Sequence, residues 1–182
     1  MVYVFLADGF EEMEAFTPVD LLKRAGINVT TVGIGSSTPT GSHGVTVMAD
    51  ISEELFFPDN DIEAIVLPGG MPGTDNLESS PAVKRAIRLA SEEEITVAAI
   101  CAAPRILAHE NLLHGRKATV FPSFREELTD SYVDESVVYD SPFLTARAAG
   151  SAVDFSLKLI EIIKDRQTVK KVADSIFYGE YR

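Results

Sequence analysis

The chain alternates short runs of apolar residues with longer segments whose apolar residues recur every three or four positions. A run that is too short for a surface helix and apolar on both faces is typical of a strand inside a parallel sheet. Such runs predict four buried strands, at residues 2–7, 28–34, 62–67 and 95–100. Weaker patterns predict shorter strands at residues 45–49 and 118–121, and a hairpin that pairs residues 137–139 with 143–146.

Helices are predicted between these strands from their periodicity and their terminal residues. The segment 11–24 begins with acidic side chains that suit the helix dipole, and Gly26 is placed to end it. Ser80 and Pro81 are a favourable N-cap and first residue for the next helix. Further helices are predicted at residues 104–113, 153–163 and 168–178.

The order of these elements predicts the fold class. Residues 1–34 form one β-α-β unit, which predicts a right-handed crossover and a parallel pair of strands. The continued alternation predicts an α/β three-layer sandwich with a mainly parallel central sheet and a small antiparallel hairpin. A length of 182 residues suits a single domain that spans residues 1–182.

Composition and charge narrow the class of function. Hydrophobic residues make up 46% and charged residues 24% of the chain, as in ordinary globular proteins. The net charge of -12 opposes binding to nucleic acid or to an anionic membrane. A single cysteine excludes an internal disulfide and favours a reducing compartment, and the first apolar run is too short for a signal sequence or a membrane span. We therefore expect a cytoplasmic protein.

The strongest candidate for chemistry is Cys101, the single cysteine. It lies between the strand 95–100 and a helix that Pro104 can begin, where free N–H groups and the helix dipole favour a thiolate. A lone cysteine is by default an inert buried side chain. A sharp turn at the carboxyl edge of a sheet, however, is a recurrent way to present a nucleophile. We therefore predict a reactive thiol with a lowered pKa.

A glycine-rich turn at residues 68–73 follows another predicted strand. It lacks the Lys-Ser or Lys-Thr pair of a phosphate loop and the spaced glycines of a dinucleotide site, so we predict no bound cofactor. We predict no metal site either. Two interpretations of the turn remain open. It is either a tight connection, or a place where glycines let backbone N–H groups approach a bound group as half of an oxyanion hole.

Three sequence blocks occur in the same order in a known superfamily. They are Gly9-Phe-Glu-Glu-Met-Glu14, Leu67-Pro-Gly-Gly70 and Ala99-Ile-Cys-Ala-Ala-Pro104. In these blocks the chain resembles the ThiJ/PfpI superfamily, especially the branch that contains the parkinsonism-linked protein deglycase. The resemblance implies a flavodoxin-like fold and a reactive cysteine that corresponds to Cys101. It also implies that Glu14 is the carboxyl group beside the thiol, and that the backbone of Gly70 and Ala102 surrounds an oxyanion site.

The chain also departs from the pattern of this superfamily. Several members carry a histidine where this chain has Phe121, and the peptidase-like branch has one where this chain has Ala102. We expect surface or packing roles for the three histidines, His43, His109 and His114. Peptidase activity is therefore not expected, because expelling an amide nitrogen needs a proton donor.

Two functions from different classes are compatible with these residues. In the first, the chain is a cysteine-dependent glyoxalase or deglycase. The Cys101 thiolate adds to a small dicarbonyl or a glycated protein, Gly70 and Ala102 bind the oxyanion, and Glu14 moves the proton. Glu14 is expected to be neutral while Cys101 is charged, because adjacent negative charges repel each other. In the second, the chain is a non-enzymatic redox sensor or redox-regulated chaperone in which peroxide oxidises Cys101.

The resemblance further implies a homodimer. The first helix around Met13 and the segment 45–48 are the expected contact. Apolar residues at such an exposed edge would otherwise invite aggregation.

Overall fold

A seven-stranded mixed sheet forms the centre of the chain, as the computed structural model shows for residues 1–57 and 61–179. Its strands are β1 (Val2–Ala7), β2 (Val29–Ile34), β3 (Ile51–Ser52), β4 (Ala64–Leu67), β5 (Thr96–Ile100), β6 (Val137–Asp140) and β7 (Phe143–Ala146). Their order across the sheet is β3-β2-β1-β4-β5-β7-β6. Neighbouring strands are parallel except for β6 and β7, which form an antiparallel hairpin. The predicted buried strands and the predicted hairpin are confirmed.

The chain changes its direction of travel across the sheet between β1 and β4. The strands β2 and β3 are added on one side of β1, whereas β4 and β5 are added on the other. Such a reversal opens a crevice at the carboxyl ends of the strands, where ligands bind in open α/β sheets. The segments after β1 and β4 meet at this crevice, where the Glu11 N–H donates to the Gly69 carbonyl over 2.9 Å.

Helices cover both faces of this sheet. Within the described residues they are α1 (Glu12–Arg24), α2 (Gly73–Ser79), α3 (Pro81–Glu92), α4 (Pro104–His109), α5 (Ala152–Ile163) and α6 (Arg166–Ser175). The helices α2, α3 and α4 pack on one face, and α1, α5 and α6 pack on the other. The flavodoxin-like three-layer sandwich is thus confirmed. Across residues 1–57 and 61–179, no helix has both the length and the hydropathy of a membrane span.

The central strand β1 is buried on both faces, which explains its apolar sequence. Phe5 and Ala7 belong to the core beneath α2, α3 and α4, whereas Val4 and Leu6 belong to the core beneath α1, α5 and α6. All four side chains have an exposure of 0%. Since successive side chains point to opposite faces and both faces are covered, no alternation of polar and apolar residues is needed.

The predicted strand at residues 45–49 is wrong. This segment pairs with the loop that precedes it, where the Val47 N–H donates to the Pro39 carbonyl over 3.1 Å, and it does not join the sheet. The position next to β2 is occupied by the two-residue strand Ile51–Ser52 instead. Met48, whose apolar character suggested a strand, has an exposure of 83%.

The predicted strand at residues 118–121 is also wrong. Ala118 makes an isolated bridge with Tyr132, and the Thr119 N–H donates over 3.0 Å to the side-chain hydroxyl of Thr145 in β7 rather than to a backbone carbonyl. The neighbours of β5 are β4 and β7, so no free strand edge is left beside the turn that follows β5. Ala118 and Val120 are buried in an irregular segment, whereas Phe121 is exposed.

Several helix ends differ from the prediction for local reasons. Helix α4 ends at His109 rather than at residue 113, and Asn111 has a φ of 59°, outside the helical region. The last helix begins at Arg166 rather than at residue 168, because the Asp165 carboxylate accepts the Thr168 N–H over 2.8 Å and caps it. It ends before residue 178. Helix α2 and the 3₁₀ segment Pro122–Ser131 were not predicted.

Candidate active site

Cys101 occupies the turn that directly follows β5. Its φ of 63° lies in the left-handed region, which residues other than glycine rarely adopt. Its N–H donates to the Ala146 carbonyl over 2.9 Å, so the end of β7 holds the turn from the side. The side chain is partly exposed. The predicted elbow between strand and helix is confirmed, and it presents the thiol at the carboxyl edge of the sheet.

The turn after β4 approaches Cys101 so closely that only glycine fits. A β-carbon added to Gly69 would lie 2.7 Å from the Cys101 β-carbon and 2.7 Å from Oε2 of Glu14. Gly70 has a φ of 90°, and a β-carbon there would lie 2.4 Å from the Gly9 carbonyl oxygen. The glycine-rich turn therefore has a steric role, because it allows the thiol and the carboxyl group to meet at one peptide.

Glu14 projects from the first turn of α1 into the protein interior. Its exposure is 0%, although acidic residues in a first turn are ordinarily solvated. Oε2 accepts the Gly69 N–H over 2.9 Å, and the Glu14 N–H donates to the Glu11 carboxylate over 2.8 Å. Within the described part of the chain, Oε1 is buried and has no hydrogen bond of normal geometry. Glu14 therefore holds its carboxyl group inside the protein, against the Gly69 peptide.

The environment of Glu14 favours its neutral form. Burial is the main cause that raises the pKa of Glu14 from 4.5 to about 7. The Cys101 side chain opposes this increase in pKa, and the negative charge of Glu11 adds to it. The N–H groups of Gly69 and Ala149 favour the carboxylate and also oppose the increase. A carboxyl group with a pKa of about 7 can exchange a proton near neutral pH.

The predicted lowering of the Cys101 pKa is wrong. Burial raises the pKa of the thiol above its ordinary value, and the charge of Glu14 raises it further. The N–H groups of Ala102 and Gly70 lower it, but by less. The helix dipole compensates little, because α4 contains only 6 residues. Burial and the adjacent carboxyl group of Glu14 therefore both disfavour the thiolate.

The structure brings together the residues assigned to the site from the sequence. The thiol and the carboxyl group meet across one glycine, and two backbone N–H groups act on the sulfur. Mutual repulsion of the two acids disfavours their simultaneous ionisation, as expected. The residues brought together in this way are Cys101, Glu14, Gly70 and Ala102.

Two further backbone donors were missed by reasoning from the sequence. The N–H groups of Gly69 and Ala149 both interact with the Glu14 carboxyl group. Gly69 carried a signal, because it lies in the glycine-rich turn. Ala149 follows β7, and only the strand order shows that β7 lies beside β5 and ends near Cys101.

The three histidines contact other parts of the molecule. His43 lies 2.8 Å from a carboxylate of α1, and His109 lies between two carboxylates at 2.5 and 3.0 Å. His114 is exposed in a turn. The backbone N–H of Phe121 donates to the Cys101 carbonyl over 2.8 Å. The segment beside the elbow therefore carries a phenyl ring and not an imidazole.

Glu11, Glu12 and His43 form a cluster at the start of α1. In the part of the chain that the structure describes, it is the one group of acidic and histidine side chains whose ligand atoms lie within 4.8 Å of one another. Glu12 accepts the backbone N–H of His43 over 2.8 Å, and Glu11 caps the helix through the Glu14 N–H. These hydrogen bonds fix the loop 40–46 to the helix. We assign the cluster this structural role and no metal.

The whole chain is similar to a group of known proteins. The profile of the DJ-1/PfpI family matches residues 1–162. Protein dj-1beta of Drosophila melanogaster is 35% identical over 177 residues, which cover 95% of this chain and 94% of the relative. A deglycase of Pyrococcus abyssi is 31% identical over 166 residues, which cover 90% of this chain and 99% of the relative.

Solved structures agree with this similarity. The crystal structure of Drosophila melanogaster DJ-1beta superposes with a TM-score of 0.93 at 34% identity, covering 98% of this chain and 97% of the other. The structure of oxidized DJ-1 from Toxoplasma gondii superposes with a TM-score of 0.91 at 31% identity, covering 98% of each chain. The arrangement of seven strands and flanking helices is thus shared with both.

Proposed function

The chain belongs to the DJ-1/PfpI family, and we propose that it is a cysteine-dependent enzyme of the glyoxalase or deglycase type. The observation that carries the proposal is the fully buried carboxyl group of Glu14 beside Cys101. With its pKa raised to about 7, Glu14 can both accept and return a proton near neutral pH. The relative named deglycase supports this reaction class. The proposed substrates are small dicarbonyls or their adducts on proteins.

The first step is the addition of sulfur to an aldehyde carbonyl. Because burial keeps the proton on the Cys101 thiol, ionised Glu14 takes that proton as the sulfur–carbon bond forms. The carbonyl electrons move to oxygen, and we assign the N–H groups of Gly70 and Ala102 to the stabilisation of this oxyanion. Return of the proton from Glu14 to the oxyanion gives a neutral hemithioacetal and restores the carboxylate.

The second stage converts the hemithioacetal of an α-oxoaldehyde into a hydroxy acid without an external oxidant. Glu14 removes the C–H proton of the hemithioacetal carbon and returns a proton to the neighbouring carbonyl carbon. The hydroxyl proton of the first carbon moves to the oxygen of the second, so the first carbon is oxidised to a thioester and the second is reduced to an alcohol. Water then cleaves the bond between sulfur and the acyl carbon and releases the Cys101 thiol. The sum is the uptake of one water, so methylglyoxal gives lactate.

Steady-state turnover of methylglyoxal tests this mechanism. The value of kcat/KM should rise with pH through about 7, because Glu14 must be ionised to accept the thiol proton. Glu14→Gln keeps the size of the side chain but cannot carry the proton, so it should lower kcat about 100-fold or more. Cys101→Ser should abolish turnover. Glu12→Gln, the same change on the same helix, is the matched control and should leave kcat unchanged. Lactate formation that persists in Glu14→Gln with an unchanged pH profile would overturn the proposal.

A second candidate is a redox sensor or redox-regulated chaperone. The partly exposed thiol and the N–H groups near the sulfur favour this alternative. A peroxide would oxidise Cys101 to the sulfinate, and the same N–H groups would hold its oxygens. In Glu14→Gln the sulfinate should still accumulate, because an anion needs donors but no acid-base cycle. A wild-type protein that gains the mass of two oxygens under peroxide but forms no lactate would favour this candidate over the enzyme.

Two features limit the proposed activity and its location. Peptide cleavage is not part of the proposal, because the histidines contact other carboxylates or solvent and do not supply a proton to an amide leaving group. We propose the cytoplasm as the compartment, because a reducing environment keeps the single thiol available.

A further inference from the structure

Two exposed apolar side chains are attached to the backbone that surrounds the thiol. Met71 follows Gly70, whose N–H acts on the Cys101 sulfur, and has an exposure of 43%. Phe121 donates its N–H to the Cys101 carbonyl over 2.8 Å and has an exposure of 40%. Large apolar side chains next to a reactive group provide a surface for an apolar part of a ligand.

The ring of Phe121 lies beside a second aromatic ring, and an arginine held by carboxylates packs on that second ring. Its centroid lies 6.4 Å from that of Phe124, and the Arg105 guanidinium lies 5.0 Å from the centroid of the Phe124 ring. Arg105 in turn binds the Asp75 carboxylate over 2.9 Å and lies 3.3 Å from that of Glu127. An aromatic side chain with a fixed neighbour loses little conformational freedom when a ligand binds against it.

The charges around the site disfavour an anionic substrate. Besides each other, the main groups that act on Cys101 and Glu14 are backbone N–H groups and the carboxylate of Glu11, and none of these is a basic side chain. Arg105, the basic residue nearest in sequence to the elbow, is occupied by carboxylates. The net charge of -12 repels anions from the whole molecule.

We propose that the site selects neutral α-oxoaldehydes that carry an apolar, preferably aromatic, substituent, and that Phe121 and Met71 determine this specificity. This inference rests on the proposed function and names its substrate class. The aldehyde carbon reacts with Cys101, while the substituent at the neighbouring carbonyl packs against the ring of Phe121. An aromatic pair of this kind contributes about 0.5–1.5 kcal/mol, which corresponds to about 2- to 10-fold in kcat/KM.

The test compares kcat/KM for phenylglyoxal, methylglyoxal and para-carboxyphenylglyoxal. The ratio of phenylglyoxal to methylglyoxal should fall about 2- to 10-fold in Phe121→Ala, and also fall in Met71→Ala. Comparing the ratio between variants removes the difference in intrinsic reactivity between the two compounds. The carboxylated compound should be a poorer substrate than phenylglyoxal for the wild type. Phe177→Ala is the control, because Phe177 has an exposure of 97% and lies after α6.

A second measurement separates this inference from the proposed function. The rates at which N-phenylmaleimide and N-ethylmaleimide alkylate Cys101 report on the same surface without turnover. Their ratio should fall in Phe121→Ala and stay constant in Phe177→Ala. A wild type that turns over no oxoaldehyde refutes the proposed function, whereas the alkylation ratio still decides the role of Phe121. The proposed specificity would be refuted if the ratios of kcat/KM and of alkylation rate were unchanged in both Phe121→Ala and Met71→Ala. Equal rates with para-carboxyphenylglyoxal and phenylglyoxal would also refute it.

Discussion

Glu14 carries an ionisable carboxyl group into a position that solvent does not reach. The folded state raises its pKa from 4.5 to about 7, mainly through burial, so the folded chain binds more protons than the unfolded chain between these values. Stability linked to Glu14 is therefore fully present below pH 4.5 and is lost as the pH rises through about 7. The same burial that makes Glu14 a useful proton carrier thus destabilises its ionised form.

We predict that Glu14→Gln weakens the pH dependence of stability. Between pH 5 and pH 8, Glu14 should lower the free energy of unfolding of the wild type by about 2–3 kcal/mol, and the neutral amide should remove this contribution. Urea denaturation at both pH values measures it. Glu110→Gln is the control, because the hydrogen bond from Arg88 lowers the pKa of Glu110 below 4.5, outside that range, and its partners Arg88 and Lys84 are not histidines. Equal pH slopes in wild type and Glu14→Gln would contradict the prediction.

Gly70 permits a second test at the scale of one residue. Gly70 and Gly115 both have a positive φ, at 90° and 74°, but a β-carbon on Gly115 meets no atom within 4 Å. Gly115→Ala should therefore lower the free energy of unfolding by about 1–2 kcal/mol through backbone strain alone. Gly70→Ala adds a clash with the backbone of Gly9 and Glu11 and should lower it by about 3–5 kcal/mol. If thermal or urea denaturation shows similar losses of unfolding free energy for the two variants, the backbone around Gly70 can move to make room for a β-carbon.

At the scale of elements, local signals determined where the helix α3 begins. The Ser80 side chain accepts the Val83 N–H over 3.3 Å, and Pro81 occupies the first turn. Both features were predicted from residue type, because N-caps and first-turn prolines depend on the chain within a few residues. The segment 45–49 shows the opposite case, in which local residues are not sufficient. Its β-branched residues favour a strand, but a strand forms only where a neighbouring strand edge is free.

We predict that Ser80→Ala lowers the free energy of unfolding by about 1 kcal/mol through loss of the N-cap. The hydroxyl also donates to Glu53 over 3.1 Å, which adds to the loss. The adjacent Ser79→Ala is a matched control. Among the described residues, the Ser79 hydroxyl bonds to the Asp75 carbonyl of its own helix, and a change of less than about 0.5 kcal/mol is expected. Equal stability of the two variants in urea would show that the cap contributes little.

At the scale of the whole molecule, exposed apolar residues occur both on α1 and on the segment 45–48 that follows the loop bonded to its start. Met13 and Val45 have exposures of 56% and 50%, and Met48 has an exposure of 83%. The Glu12–His43 hydrogen bonds hold the loop that carries Val45 against α1. An exposed group of apolar side chains on a rigid support is typical of a protein interface. We propose that this surface joins two copies of the chain.

Sedimentation at micromolar concentration tests the homodimer. The wild type should sediment as twice the chain mass of 19.8 kDa. Met13→Glu combined with Met48→Glu should give the monomer mass, because charged side chains at an apolar contact repel each other and lose hydration. Phe177→Glu, a change of the same kind at a residue exposed by 97%, should remain dimeric. A wild type that sediments only near 19.8 kDa excludes the dimer.

Six of the seven strands of the central sheet, all except β3, were predictable from the sequence alone, and so were the start of α3 and the elbow that carries Cys101. These features follow from periodicity, residue volume and backbone preference, which act over a few neighbouring residues. The resemblance to a family, and not these local signals, indicated that Glu14 faces the thiol. Only the tertiary structure decided that Glu14 is fully buried and that the Cys101 pKa is raised rather than lowered. The physical reason is that desolvation depends on how α1, the Gly69 turn and the end of β7 pack together, and these segments are far apart in the chain.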